Sequence, residues 1–547
     1  MLDRATIDSL FPADLPDPAY WEEQYPPRQL PEGAKVVRVA PSPTGSAHIG
    51  LIYVAMIDQD ISRTSGGVYF LRVEDTDQSR EVEGALAQFD RAFAYFGVEP
   101  SESRDAGAYG PYLQSQRSRI YMTYVRELLR EDKAYLCFAT KDELAQITQA
   151  QQKAKLPTGY YGRWAIWRNA SAEDVRARLE AGEPYVVRFR SPGEQGRRTR
   201  FVDAIRGELE HESNRNDVVI LKSSDQEPRL PTYHFAHAVD EHLMRVNLVI
   251  RAEEWISSVP LHLQLFEALG FEVPEFAHIA PLTKQEGGSK RKLSKRKDPE
   301  ASVDYYMEVG YPAPAVDYYL RGLANGRLAD LPLAEALAEP IRLEEFGVAG
   351  PLVDLVKLED ISGDYVSTLA GETIIEEISG WASDHDAELV RILRDERDLA
   401  LRALAVEREG VENPRKDLRK WSDFRPAYAF FFPELFPVVD DPSDERLGGL
   451  APELVRTLAR EFAGSYQPLD DPQEWFGQIR DLAGRHGFAK NAKEYKRDPD
   501  AYPGSIREAA QVIRVALTGS TRSPDLFAVA HALGTDEVLR RVRALAG

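Results

Sequence analysis

The segment RVAPSPTGSAHIG, residues 38–50, combines the residue types expected of a turn that binds phosphate. Its two prolines fix the bend, and Thr44 and Gly45 leave backbone N–H groups unobstructed before a helix predicted to begin near His48. His48 can donate a hydrogen bond to an oxygen on which charge develops, and Gly50 lets a ring or a ribose approach the backbone. A tight turn with a capping serine and a partly buried histidine is the structural alternative.

A basic cluster, KRKLSKRK at residues 290–297, has six cations in eight positions and follows EGG at 286–288. Such a charge run is commonly a solvated face. A loop hinged at EGG could instead fold over a triphosphate. Lys292 and Lys295 would then neutralise the charge that accumulates as pyrophosphate leaves.

Three elements around the first segment are needed to position these residues. KVVRVA (35–40) has the alternation of a strand, residues 48–66 have helical spacing that ends at a glycine pair, and VYFLRVED (68–75) is a second strand. Strand, turn, helix and strand form a parallel crossover unit. We therefore predict an α/β fold with a doubly wound, parallel, Rossmann-type sheet.

Changes of pattern along the chain predict further segments. A mixed α+β stretch interrupts the sheet, strand patterns resume near LVIRAEEW (248–255), and the chain beyond about 310 becomes predominantly helical. The predicted segments are an N-terminal extension (1–34), the first half of the Rossmann-type sheet (35–130), an inserted α+β domain (131–220), the second half with the basic loop (221–310), a connecting region (311–375) and helical C-terminal domains (376–547).

Composition narrows the class of protein. The chain has 547 residues, is 43% hydrophobic and carries no apolar run of bilayer length. Its N-terminus has acids and prolines where a secretory signal needs a basic start and an apolar core, so we expect a cytoplasmic protein without a membrane partner. Cys137 is the only cysteine, which excludes an internal disulfide and a multi-cysteine zinc site.

The net charge of −21 argues against indiscriminate binding of nucleic acid. A polyanionic partner would need local basic patches, and the candidates are RKDLRK (415–420) and RHGFAKNAKEYKR (485–497). Phe488 and Tyr495 in the second patch could stack on unpaired bases. An ordinary amphipathic helix with a hydrated basic face is the alternative for each patch.

The two chemical segments together resemble the HIGH and KMSKS motifs of class I aminoacyl-tRNA synthetases. They read His48-Ile49-Gly50-Leu51 and Lys292-Leu293-Ser294-Lys295-Arg296 in this sequence. With LRVEDTDQSR (71–80), PTYHFAHAVDEHLM (231–244) and VIRAEEW (249–255), the chain is similar to the glutamyl-tRNA synthetase family. The similarity continues to VIRVALTGSTRSPDLFAVAHALGTDEVLRRV (512–542), so it spans nearly the whole chain.

This resemblance implies a pocket that pairs each charged group of glutamate. Arg38, assisted by Tyr233, would hold the γ-carboxylate, because a planar guanidinium can meet both oxygens. Glu74 with Ser42 would hold the ammonium group, and Arg251 would meet the α-carboxylate. The implied glutamate-binding residues are Arg38, Ala40, Ser42, Glu74, Tyr233, His237 and Arg251. Surface ion pairing is the alternative for Arg38 or Glu74 taken alone.

The resemblance also implies a two-step reaction. The α-carboxylate attacks the α-phosphate of ATP, pyrophosphate leaves, and the glutamyl-adenylate passes its acyl group to the terminal ribose of tRNA. Catalysis would come from positioning and charge stabilisation by His48, Lys292 and Lys295, with Mg²⁺ accompanying the ATP. The implied ATP-binding residues are Thr44, Gly45, His48, Gly50 and Lys295. In this family, glutamate activation typically requires bound tRNA.

For the RNA, the resemblance implies that the insertion (131–220) binds the acceptor end, that 311–375 contacts the stem and that 376–547 binds the anticodon. The tRNA-binding residues predicted are Asp77, Arg80, Arg485, Lys490 and Lys493. The glutamate tRNA is the expected substrate, with the glutamine tRNA as a second one if the third anticodon base is read loosely. A monomer is expected.

Two positions depart from the family pattern. Leu51 replaces the last histidine of HIGH, and other groups must then meet the triphosphate. His237 stands where many members have an asparagine-like residue, which could change how the α-carboxylate end is held. Relatives with a cysteine-rich zinc site carry it in the insertion, where this chain has YLCFAT (135–140) and YYGRW (160–164), so no zinc and no other protein-held metal is predicted.

Three other functions compete with this one. A glutaminyl-tRNA synthetase would need a β-barrel pair in place of the helical C-terminal region. An enzyme that glutamylates a modified tRNA base would lack the helical C-terminal half. A tRNA-binding paralogue without catalysis would not need His48, Lys292 and Lys295, which are all present.

Overall fold

The computed structural model describes residues 2–77 and 82–547. Contacts within the chain divide it into two units: unit one, Met1–Met307 and Val316–Asp354, and unit two, Glu308–Ala315 and Leu355–Gly547. The finer division into six segments stays a prediction. In the described part of the chain, every helix is too short or too polar to cross a bilayer.

The N-terminal segment contributes side chains to the core of unit one. It forms helices α1 (Arg4–Asp8) and α2 (Pro18–Gln24). Ile7, Phe11, Leu15 and Tyr25 are buried in that core. The segment predicted as an N-terminal extension is therefore part of the core of unit one.

The predicted crossover unit is confirmed. It consists of β1 (Val36–Val39), α3 (Ile49–Ser65) and β2 (Val68–Leu71), and β1 pairs in parallel with β2. The imidazole of His48 caps α3 by accepting a hydrogen bond from the Gly50 N–H at 2.9 Å. Gly66 ends the helix with a φ of 70°, a conformation that favours glycine.

The next part of unit one contains four helices and five strands. Strands β3, β4 and β7 form an antiparallel sheet, and β5 pairs with β6 in a hairpin, here called the ribbon. These elements are α4 (Ala85–Phe96), α5 (Ser118–Arg130), β3 (Ala134–Cys137), α6 (Lys141–Lys153), α7 (Ala172–Glu180), β4 (Val186–Phe189), β5 (Arg198–Asp203), β6 (Gly207–Glu212) and β7 (Val219–Leu221).

A second parallel pair lies beside the first, in a four-stranded sheet. After α8 (Tyr233–Leu243), β8 (Leu248–Ala252) leads through α9 (Val259–Leu269) to β9 (Glu275–Ile279), and β8 pairs in parallel with β9. The Val36 N–H donates to the Asn247 side chain at 2.8 Å, which holds the start of β8 beside β1. In this sheet, of order β6-β5-β9-β8, β5 pairs in parallel with β9, so β6 is the antiparallel edge strand of a sheet predicted to be wholly parallel.

The basic cluster starts on a hairpin. Strands β10 (Thr283–Glu286) and β11 (Ser289–Lys292) pair antiparallel, and Gly287 and Gly288 form the turn with φ of 53° and 90°. Two positive φ values are what a type I′ hairpin turn requires. The glycines predicted as a hinge therefore serve as a tight turn. The following helices are α10 (Val303–Val309), α11 (Ala313–Ala324) and α12 (Leu333–Ala338).

Unit two confirms the predicted helical C-terminal region. Its core includes the buried side chains of Trp475, Phe424 and Ile513. Phe488 also lies in this core with 5% of its surface exposed, so it does not offer the stacking face predicted for it. The helices are α13 (Leu355–Ser367), α14 (Gly371–His385), α15 (Ala387–Asp395), α16 (Arg397–Ala405), α17 (Phe424–Tyr428), α18 (Pro452–Ser465), α19 (Pro472–Arg485), α20 (Ala492–Arg497), α21 (Ile506–Thr518), α22 (Leu526–Leu533) and α23 (Thr535–Ala546).

Candidate active site

A cluster of charged side chains lies where the parallel strands end. Arg38 is on β1, Glu74 follows β2, Arg251 is on β8, and Tyr233 and His237 begin α8. Glu74 and Arg251 face Tyr233 closely enough to act on its ionisation: burial and Glu74 raise the pKa of Tyr233 to about 12, while Arg251 opposes the rise. The carboxyl ends of strands are where ligands bind in open α/β sheets.

Arg38 is held by a carboxylate that sequence analysis did not single out. Its Nε donates to Glu241 Oε1 at 2.8 Å, and its Nη1 lies 3.4 Å from the Ile250 carbonyl. Both charged side chains are nearly inaccessible to solvent. Within residues 2–77 and 82–547, Arg38 Nη2 has no hydrogen-bond partner, so the guanidinium is oriented but retains a donor for a ligand.

Arg72 is a second residue that sequence analysis missed. Its Nη2 donates to Glu241 Oε1 at 2.9 Å and to Glu74 Oε1 at 3.0 Å, with no exposed surface. Burial disfavours the charge of Glu241, but Arg38 and Arg72 outweigh it and keep the pKa of this carboxyl well below its usual range. For Glu74 burial wins, and its pKa is raised despite Arg72. A ligand ammonium beside Glu74 would relieve that penalty.

The formal charge of this cluster is positive by one. Three guanidiniums face two carboxylates, apart from the adjoining Arg117–Asp240 ion pair, which is neutral as a pair and whose Asp240 Oδ2 lies 4.0 Å from Arg72 Nε. The nearby carboxyl of Asp58 is fully buried without a hydrogen-bond partner in the described chain, and burial raises its pKa well above normal, so it is counted as neutral. Glutamate, with two carboxylates and one ammonium, carries a net charge of −1. The charged residues counted are Arg38, Arg72, Arg251, Glu74 and Glu241.

Neutral histidines line the same pocket. Burial lowers the pKa of His237 to about 3 and that of His234 to about 4. His237 Nδ1 is 2.9 Å from Glu241 Oε1, and its ring is 4.4 Å from that of His262. His237, the residue that differs from the family pattern, therefore places a neutral imidazole, not a cation, between the charged groups.

These lowered pKa values predict that acid destabilises unit one. Above the unfolded histidine pKa of about 6.5, the neutral forms are favoured in both states; below it, the unfolded chain binds protons that folded His234 and His237 resist. The free energy of unfolding should then fall as pH decreases from about 6.5 toward 4, by up to about 1.4 kcal/mol per pH unit for each histidine. Urea unfolding at pH 7, 6 and 5 measures it.

The matched variant for this prediction is His237→Asn, which keeps a polar side chain and removes one titrating group. Its unfolding free energy should depend less steeply on pH than that of the wild type. Equal slopes would contradict the assignment of His237 as a buried neutral imidazole.

The two motif segments meet at the turn before α3. Lys295 Nζ donates to the Ser46 carbonyl, two residues before His48. Burial, then Lys295 and Lys292, lower the pKa of His48, whose Nδ1 accepts from Gly50 and whose Nε2 is therefore the protonated nitrogen. The structure thus brings together the three residues predicted to be catalytic.

The turn before α3 is fixed by backbone contacts. The Glu74 N–H donates to the Pro41 carbonyl at 3.0 Å, which ties the turn to the end of β2. Ser42 and Thr44 are exposed, while Ala40 and Gly45 are half-buried. A Cβ on Gly50 would lie 3.1 Å from His48 Nδ1, so this glycine first of all makes room for the capping imidazole.

The residues predicted to bind tRNA are dispersed. Asp77 is exposed, and Arg80 lies outside the described residues. In unit two, Arg485, Lys490 and Lys493 are exposed, and Arg485 is 3.4 Å from Glu461. The other patch, 415–420, has each of its cations paired with a carboxylate.

Unit two also contains a cavity of about 780 Å³, here called the arginine cavity. Backbone and side chains of 518–524 form one wall, and Phe430 and Phe436 are among its apolar lining. Arg522 is exposed at this cavity and has no carboxylate partner among the described residues. The arginines at its lining are Arg415, Arg425, Arg446 and Arg522.

The single cysteine has a cation as its neighbour. Arg188 Nε donates to Cys137 Sγ at 3.3 Å, and the guanidinium stacks on the ring of Tyr160 at 4.0 Å. Residues 2–77 and 82–547 contain no group of three or more His, Cys, Asp or Glu side chains arranged to hold a metal ion.

Comparison with family models gives two matches. The family described as tRNA synthetases class I (E and Q), catalytic domain, matches residues 35–331. An anticodon binding domain matches residues 505–546, which include one wall of the arginine cavity. The first match contains every residue of the charged cluster and both motif segments.

Curated relatives extend the similarity over nearly the whole chain. A glutamate–tRNA ligase of Clostridium beijerinckii is 42% identical over 535 residues, covering 95% of each chain. That of Thermus thermophilus is 34% identical over 518 residues, covering 93% of this chain and all of its own. Among solved structures, a glutamate tRNA ligase from Elizabethkingia meningosepticum, in complex with its amino acid, has a TM-score of 0.75 at 28% identity and covers 93% and 98% of the two chains.

Proposed function

Since this chain belongs to the glutamate–tRNA ligase family and joins glutamate to tRNA at the expense of ATP, we propose that the charged cluster around Arg38 is its amino-acid pocket. The observation that carries the proposal is the excess of one positive charge in a buried site with two carboxylates. An array with this charge complements an anionic amino acid and disfavours a neutral amide such as glutamine.

Each charged group of glutamate has a partner in this pocket. Arg38, with the hydroxyl of Tyr233, binds the γ-carboxylate, and Arg251 binds the α-carboxylate. Glu74, with Ser42, receives the ammonium group. Arg72 contacts no substrate in this scheme, because its hydrogen bonds go to Glu74 and Glu241 and orient them, and its Nε faces Asp240 at 4.0 Å.

Activation uses position and charge, without a protein nucleophile. The α-carboxylate attacks the α-phosphate of ATP, and His48 and Lys295 stabilise the charge on the phosphates as pyrophosphate leaves. Lys292 pairs with Glu254 at 2.6 Å, and both side chains are more than half exposed. Such exposed pairs are worth about 1 kcal/mol or less, so Lys292 can exchange this partner for a phosphate. Mg²⁺ enters as part of the ATP substrate.

In the second step, the adenylate passes its glutamyl group to the terminal ribose of tRNA. We take the glutamate tRNA as the substrate, with charging of the glutamine tRNA as a second activity to be measured. The anticodon loop binds unit two at the arginine cavity, where Arg522 has a guanidinium available and the apolar lining can receive an unstacked base. Asp77 and Arg80 remain proposed contacts of the acceptor end.

Replacing Arg522 by alanine should weaken tRNA binding by roughly tenfold, since one direct contact to a base or phosphate is worth about 1–3 kcal/mol. The predicted patch offers the comparison: the triple variant of Arg485, Lys490 and Lys493 should reduce the salt dependence of binding. Filter binding over a salt titration measures both. A variant that binds tRNA with wild-type affinity at every salt concentration would show that its substituted residues are not part of the interface.

The assay for the whole proposal is ATP–pyrophosphate exchange with purified enzyme, glutamate and each of the two tRNAs, with glutamine as the competing amino acid. Exchange with glutamate and not with glutamine is expected. Exchange driven by glutamine would overturn the pocket assignment. We expect the enzyme to act as a monomer in the cytoplasm, the compartment of translation, and size-exclusion chromatography with light scattering tests the first of these.

A further inference from the structure

Arg251 is buried without a direct counter-ion in the described chain. The side chain is 6% exposed, its Nε donates to His278 Nε2 at 3.0 Å, and its Nη2 lies 3.2 Å from His262 Nδ1. Its Nη1 is buried and has no hydrogen-bond partner among residues 2–77 and 82–547. Burying a cation without a carboxylate partner costs free energy. The side chains that hydrogen-bond the Arg251 guanidinium therefore show how it is held.

The contact between Arg251 and His278 fixes the tautomer of the histidine. An arginine Nε–H can only donate, so His278 Nε2 must accept and the ring proton must be on Nδ1. That Nδ1 is 2.6 Å from Asp203 Oδ2. Burial lowers the pKa of His278, which favours the neutral ring that this arrangement requires.

Asp203 is held as a carboxylate at the end of the ribbon. It accepts hydrogen bonds from the backbone N–H groups of Ile205 and Arg206 at 3.0 Å and of His278 at 3.1 Å. These donors and the His278 ring outweigh burial and keep the pKa of Asp203 below its usual value. Three backbone N–H groups aimed at one side chain require acceptor oxygens there, which the two carboxylate oxygens of Asp203 supply.

The three residues lie on neighbouring strands of one sheet. Arg251 on β8 is the register partner of His278 on β9, and Asp203 on β5 pairs with Phe276 on β9. β5 belongs to the stretch that interrupts the sequence of the Rossmann-type sheet. The Asp203 side chain contacts His278, and His278 contacts Arg251.

We propose that Asp203 and His278 are positioning residues for Arg251. Asp203 fixes the proton of His278 on Nδ1, so that Nε2 accepts the Arg251 Nε–H and the free Nη1 is kept available for the carboxylate of the amino acid. This deepens the proposed function and rests on it, because it takes Arg251 as a substrate-binding residue. Neither positioning residue touches the substrate.

The decisive variant is Asp203→Asn. The amide of the new asparagine can present its NH₂ to His278 Nδ1, which must then accept a hydrogen bond. The ring proton therefore moves to Nε2, where it faces the Arg251 Nε–H, and the hydrogen bond between the two residues is lost. We expect KM for glutamate to rise by roughly 10- to 100-fold, by analogy with the loss found when a partner that orients a metal-ligating histidine is removed. KM for ATP should change little. A KM for glutamate equal to that of the wild type would overturn the proposal.

Substitutions of His278 provide a matched pair. His278→Gln places an amide oxygen near the position of Nε2 and should retain part of the affinity for glutamate. His278→Asn reaches only as far as Asp203 and should behave like Asp203→Asn. Equal losses in the two variants would show that His278 serves packing and does not orient Arg251.

A measurement on the wild-type enzyme separates this proposal from the proposed function. Histidine ¹⁵N NMR, with His278 assigned from the spectrum of His278→Gln, should show its proton on Nδ1, and on Nε2 in Asp203→Asn. A proton on Nε2 in the wild type would overturn the positioning scheme whatever the enzyme binds. If Arg251→Lys leaves KM for glutamate unchanged, the assignment of Arg251 fails instead.

Discussion

The variant Arg38→Ala should lower kcat/KM for glutamate by roughly 10²- to 10³-fold, with KM for ATP unchanged. Removing one partner of a buried, hydrogen-bonded charge pair costs about 3–5 kcal/mol, and each 1.4 kcal/mol is a factor of ten. The substitution removes two interactions of Arg38. The substrate carboxylate loses its guanidinium partner, and Glu241 loses the Nε–H donor 2.8 Å away. Aminoacylation kinetics at varied glutamate concentration measure the effect.

Two further variants separate charge, geometry and stability. Arg38→Lys keeps the charge but not the planar pair of donors, so its kcat/KM should fall between those of the wild type and Arg38→Ala. Arg541→Lys alters an equally buried arginine of unit two, whose Nε donates to Glu537, and should lower stability without changing KM for glutamate. A wild-type KM for glutamate in Arg38→Ala would contradict the pocket assignment.

Replacing Lys295 by alanine should lower kcat of ATP–pyrophosphate exchange by roughly 10²- to 10³-fold and leave KM for glutamate unchanged. Removing a group that stabilises transition-state charge typically costs this much. Lys295 is the candidate because its Nζ reaches the Ser46 carbonyl beside the His48 cap, on the turn where phosphate is proposed to bind. Single-turnover measurements with saturating ATP and glutamate isolate the step.

The matched control is Lys297→Ala, two residues further along the same basic cluster and exposed. It removes the same charge from the cluster without removing the contact to the turn, so its kcat should remain close to that of the wild type. Equal losses in the two variants would mean that the cluster acts by its overall charge, and the specific role of Lys295 would be rejected.

Much of the fold can be predicted from the sequence because the patterns that indicate helices and strands lie within short stretches of the chain. The strand at 35–40, the helix at 48–66 and the strand at 68–75 are confirmed as β1, α3 and β2. Their limits follow from neighbours in sequence: the imidazole of His48 caps the helix start, and Gly66 ends it with a positive φ. Helix and strand periodicity needs no information from the rest of the chain.

Two local patterns were misread, for physical reasons. EGG was interpreted as a hinge, whereas Gly287 and Gly288 form the turn of a hairpin, because positive φ serves a tight turn as well as a flexible link. Phe488 was interpreted as a stacking residue within a basic patch. Its ring is buried in the core of unit two, since neighbouring cations do not determine which way an aromatic side chain faces.

The sequence by itself determined the residue types available for chemistry and the motif segments that carry them, since these depend on residue identity and short spacing. The tertiary structure alone decided which charges meet. Arg38 and Glu241 are 203 residues apart in sequence and 2.8 Å apart in space, and Asp203 reaches Arg251 only through His278 on an intervening strand. Buried charges are stabilised by whichever donors the fold brings to them, and that proximity is set by the packing of strands and helices from distant parts of the chain.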